Sequence, residues 1–124
     1  MITGVVTPSR EAVIPVMARG PLGQETEVEG IIDTGFTGFL TLPARLITNL
    51  GLSFAGTTRS ALGDGSDVQM DAFEATVLWD KHELSILVLG AEGAALVGMS
   101  LLSGHRVTLD VQDGGPVIIE PLGS

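Results

Sequence analysis

Few residues in this 124-residue chain have both the type and the setting for chemistry. The first is Asp33, which ends the apolar run Gly30-Ile31-Ile32 and precedes Thr34 and Gly35. A carboxylate at the end of an apolar strand is costly unless hydrogen bonds or a partner compensate it. Thr34 can lock the neighbouring backbone through its hydroxyl, and Gly35 lets main-chain amides reach the carboxylate where a Cβ would intrude. Two readings fit these residues alone: a strand-end Asp in an Asx-type turn, or a carboxylate held for use. Other candidates are weaker. Asp64, Asp67 and Asp71 lack the ligand spacing and terminal Glu of a calcium loop and read as a solvated acidic tip. Gly98-Met99-Ser100 lacks the second glycine of a nucleophile elbow, so Ser100 reads as a helix residue. No cysteine and only two histidines, His82 and His105, leave little for a metal, and neither metal nor cofactor is expected.

The rest of the composition narrows the function further. Six Lys and Arg against fifteen Asp and Glu give a net charge of −9, which repels phosphates and disfavours nucleic-acid binding. Arg10, Glu11 and Arg19 break the N-terminal region, and no uncharged stretch reaches the roughly 18 apolar residues of a membrane helix. Neither export nor membrane insertion is expected, and the lack of cysteine suits a cytoplasmic chain. Hydrophobic residues reach 44%, enough for a core, and the length suits one domain over residues 1–124. With aromatics at only 4%, Val, Leu, Ile and Ala must fill that core, which leans toward β-structure.

Seventeen glycines and six prolines, spread through the chain, punctuate short apolar runs and predict a compact β-rich domain. A first hairpin runs from Ala12 to Ala18, turns at Gly20-Pro21-Leu22-Gly23 and returns from Glu25 to Ile32. In the return strand Glu25, Glu27 and Glu29 alternate with Thr26 and Val28, one wet face and one dry. Phe39 to Leu42 is a further strand, and Pro43 and Gly51 bracket a short helix. Strands from Thr57 to Leu62 and Asp67 to Leu78 flank a polar tip at Gly63-Asp64-Gly65-Ser66, which on its own reads as an ordinary surface hairpin. Asp80 and Lys81 turn the chain into the buried run Leu84 to Leu89. Ala94 to Val97 leads into a helical turn stopped by Gly104, and strands at Val107 to Val111 and Val117 to Glu120 end the pattern.

In this order, the stretch Asp33-Thr34-Gly35-Phe36-Thr37-Gly38-Phe39-Leu40-Thr41-Leu42-Pro43 resembles the active-site loop of retropepsin-like aspartic proteases, most of all the small bacterial ones. Ala95-Leu96-Val97-Gly98-Met99-Ser100-Leu101-Leu102 looks like the family's second signature: apolar residues, then Gly, then a short helix ending in Leu. Val97 and Gly98 carry that match, and the two signatures come in the right order. The glycine-tipped hairpin stands in the place of a flap. The resemblance covers most of the chain and implies an all-β, retropepsin-like half-barrel with one or two short helices.

It also implies a function. Aspartic proteolysis uses two close carboxylates that share one proton, one taking a proton from water while the other donates to the peptide carbonyl. The chain has a single Asp-Thr-Gly, so the resemblance implies a homodimeric endopeptidase with Asp33 as the catalytic residue of each chain. Thr34 and Gly35 would support the loop, Thr34 by bonding across the two-fold axis. The substrate would be an extended peptide, held by Phe36 and Thr37 and covered by a flap containing Gly63, Asp64 and Gly65. The chain departs from retroviral members where Phe36 and Thr37 replace Ala and Asp, and where Met99 replaces Arg. The lost acid and base pair with each other in those enzymes, so their joint loss strands no charge. The competing reading is a catalytically inactive member of the fold, a dimerisation or peptide-binding module.

Overall fold

The apolar runs pair into strands whose alternation decides what each face meets. In a computed structural model describing residues 1–61 and 65–123, they form β1 (Ile2–Val6), β2 (Ala12–Arg19), β3 (Glu25–Ile32), β4 (Leu40–Leu42) and β5 (Ser53–Ala61). These are followed by β6 (Asp67–Trp79), β7 (His82–Gly90), β8 (Ala95–Val97), β9 (His105–Leu109) and β10 (Pro116–Pro121). Two short helices interrupt them, α1 (Ala44–Leu50) and α2 (Met99–Leu102). Neither is long and apolar enough to cross a membrane.

The strands follow one another as β6-β7-β4-β8-β3-β2, and a second pairing of β2 with β6 closes this ring. The expected half-barrel is therefore a closed barrel of six strands, with β5 added at β6 and with β1, β10 and β9 added at β2. Closure depends on how β2 divides its free edge. Ala12 and Val13 pair with β1, Met17 to Arg19 pair with β6, and Pro15, which has no amide to donate, falls in the gap between them. At the far end Arg19 ties the closure down with ion pairs to Glu25 and Glu83.

Inside the barrel, Ile14, Leu40, Val77, Val88 and Val97 are inaccessible to water. Each such side chain contributes at most about 1.5–3 kcal/mol. The alternation expected of β3 holds, with Val28 buried and Glu25, Glu27 and Glu29 exposed. Between β6 and β7, Asp80 and Lys81 form a two-residue turn with φ of 50° and 71°, the left-handed pair whose twist suits a tight hairpin.

One strand was not legible beforehand. β1 contains Gly4, a poor strand former, and its reason is visible only in three dimensions: a Cβ there would lie 1.9 Å from the Val13 carbonyl oxygen.

The functional geometry turns on β6, thirteen residues long. From Ala72 onward it pairs with β7, but residues 67–71 pair with β5 alone. The β5–β6 hairpin thus leaves the barrel as a two-stranded arm.

Candidate active site

Asp33 continues the parallel register of β3 on β8 by one residue. After Ile31 pairs with Leu96 and Ile32 with Val97, the Asp33 amide donates to the Val97 carbonyl at 2.9 Å. The chain then turns away sharply. The Gly35 amide donates to Asp33 Oδ1 at 2.9 Å, and the Phe36 amide to the Asp33 carbonyl at 3.1 Å. This is an Asx-type turn, so the bland reading of Asp33 describes the geometry and also delivers the support a working carboxylate requires. Among the described residues no other donor reaches the carboxylate. Its side chain is half-buried, while Thr34, Gly35 and Thr37 are exposed.

Phe36, next in the loop, turns inward. It is 8% exposed and packs with Ala72 and Leu89, joined by Met70 and Leu96. Only its rim contributes to a groove of about 230 Å³, alongside Thr37, Phe39, Arg59, Leu87 and Leu89. The ring is chiefly a plug that seats the loop on the base of the arm.

The second signature holds the loop from below. Gly98 donates to the Phe39 carbonyl at 2.9 Å, Met99 to the Phe36 carbonyl at 2.8 Å and Ser100 to the Gly38 carbonyl at 3.1 Å. The Ser100 hydroxyl adds a bond to the Thr37 carbonyl, a role its sequence setting did not signal. Thr41 was also missed. At 2% exposure it is the one buried polar residue among those described, and its Oγ1 accepts the Leu96 amide at 2.9 Å. Its signal was faint but present: a Thr inside the apolar strand Leu40-Thr41-Leu42 must find a partner.

Of the expected flap residues, Gly63 and Asp64 lie outside the described residues, and Gly65 has a φ of 87° at the arm's end. Asp33 itself lines none of the grooves described here. A larger hollow of about 510 Å³, along Arg19, Pro21, Ser53 and Thr76, touches the loop only through Phe39. Among the described residues no three His, Asp or Glu side chains converge in a way that could hold a metal ion.

A crystal structure of a retropepsin-like aspartic protease from Rickettsia conorii matches this architecture over 95% of the present chain and 92% of that one, with a TM-score of 0.52. The fold is retropepsin-like. Sequence identity is only 16%, so the likeness lies in the backbone rather than in shared side chains. No family model and no curated protein matches the chain. Within the retropepsin-like fold, the Asp33 loop and the Val97-Gly98 segment are the two places where β3, β4 and β8 meet, with Leu40 paired to Val97.

Proposed function

We propose that the protein is a homodimeric aspartic endopeptidase. The observation that carries this reading is the setting of Asp33: a strand-end carboxylate fixed by the Gly35 amide, half-buried, and bordered by exposed Thr34 and Gly35. Such a carboxylate is half of a site. A second chain, related by a two-fold axis, would bring its own Asp33 opposite and form a cleft between the two copies.

In that pair, like charges in close contact cannot both be ionised, so one proton is shared. The ionised member takes a proton from a water molecule, whose oxygen attacks the peptide carbonyl carbon. The protonated member donates to the carbonyl oxygen. When the tetrahedral intermediate collapses, the C–N bond breaks and a proton passes to the departing amine. Thr34 would bond across the axis, Phe36 and Thr37 would border the peptide, and the arm with Gly63, Asp64 and Gly65 at its end would close over it. The cut would favour apolar side chains on either side.

The test is digestion of an unfolded protein by wild type and Asp33→Asn from about pH 3 to about pH 8. Cleavage by wild type and none by the variant is the expected result. Equal activity in both would remove Asp33 from the chemistry, and no activity in either would favour a peptide-binding module. Sedimentation at micromolar concentration checks the assembly, since a strict monomer could not complete the site.

A further inference from the structure

A second groove, of about 430 Å³, lies between the arm and α1 and is lined by Ala44, Ile47, Met70, Asp71, Phe73 and Glu92 among others. Its floor is apolar, with Ile47 buried and Phe73 and Met70 half-buried. Its rim carries two exposed carboxylates from separate elements, Asp71 on β6 and Glu92 after β7. Neither belongs to an ion pair among the described residues, and no Lys or Arg lines the groove. The strongest bond either makes there is Glu92 Oε1 accepting the Ala44 amide at a long 3.4 Å.

We infer that this groove is a subsite for a Lys or Arg side chain of the peptide substrate, beyond the apolar residues next to the scissile bond; the inference rests on the peptidase reading above. A long basic side chain fits both features. Its methylenes would cover Ile47, Met70 and Phe73 while its charged head reaches the two carboxylates, and the Phe73 ring adds a face that favours cations. The groove also borders the site. Met70 lines it and packs against the cluster of Phe36, Ala72 and Leu89, so a peptide lying past Asp33 and under the arm would have a neighbouring residue at its mouth. A second copy of the chain suits the groove poorly, because in the proposed dimer the copies meet at the Asp33 face instead. A divalent cation suits it poorly as well, since two carboxylates on separate elements supply too few oxygens.

Binding can be separated from cleavage by using Asp33→Asn protein and fluorescence anisotropy with extended labelled peptides that differ only by Lys, norleucine or Glu at one position. At one flanking position, Lys should bind about fivefold more tightly than norleucine at low salt, and Glu more weakly, as two exposed charge contacts allow. The advantage should shrink at high salt. Asp71→Asn with Glu92→Gln should abolish it, and Asp71→Lys with Glu92→Lys should reverse it toward Glu. No Lys preference at any position, or one that survives the neutral pair of substitutions, would overturn the inference. Wild-type cleavage indifferent to Lys would remove the subsite and leave the peptidase reading standing. Lys-dependent binding without any cleavage would do the opposite.

Discussion

Gly98 and Phe36 sit in such close contact that a Cβ on Gly98 would lie 2.6 Å from Phe36 Cδ2 and 2.1 Å from the Gly38 carbonyl oxygen. The second obstacle is backbone, which cannot rotate aside. Gly98→Ala should therefore push the Asp33 loop off β8 and destabilise the protein by at least about 1–3 kcal/mol, the usual cost of overpacking. A denaturant midpoint equal to wild type would show that the loop yields without cost.

Phe36 itself distinguishes a plug from a subsite wall. If it only bordered substrate, Phe36→Ala would raise KM and leave stability alone. Buried against Ala72 and Leu89, it should instead cost about 3–5 kcal/mol in chemical denaturation. Phe36→Leu, which refills part of the volume, should recover a substantial fraction. A Phe36→Ala midpoint within error of wild type would restore the wall.

How far such features could be read in advance follows from where their causes lie. The alternation of β3, the bracketing of α1 by Pro43 and Gly51 and the turn at Asp80 and Lys81 are local, and each matches the chain pattern. Asp33 was legible because a carboxylate after Ile31-Ile32 needs an explanation at any level. Barrel closure was not, because β2 and β6 meet only after some fifty intervening residues have folded. Nor was β1, because what requires Gly4 is the Val13 carbonyl crossing beside it. The burial of Phe36 was hidden for the same reason: its neighbours Ala72, Leu89 and Leu96 all come from distant strands.

Thr41 offers a subtler test of loop support. Its Oγ1 takes the place of a ladder acceptor for the Leu96 amide, one residue before Val97 receives the Asp33 amide. Thr41→Val keeps the shape but leaves that amide without its partner, at a cost of about 1–3 kcal/mol. Thr41→Ser should restore most of it. Hydrogen exchange at Leu96 is the direct measurement, and protection as strong in Thr41→Val as in wild type would mean that the bond contributes nothing.

The arm should move independently of the barrel, and Gly56 is where the two part. The register of β5 on β6 shifts between Phe54 and Gly56, and Gly56 has a φ of 120°, a conformation that side-chain-bearing residues rarely adopt. Beyond it, residues 57–61 and 67–71 pair only with each other, whereas 72–79 are held by β7 as well. Amides of the arm should therefore exchange much faster than those of the barrel half of β6, by local opening rather than global unfolding. Gly56→Ala would misdirect the arm at its root. It should lower kcat/KM for peptide cleavage more than tenfold, with a loss of stability of only about 1–2 kcal/mol, because little apolar surface is buried past the bulge. Full activity in Gly56→Ala, or arm amides as protected as those of Val77 and its neighbours, would show that the hairpin is a fixed part of the sheet rather than a cover for the site.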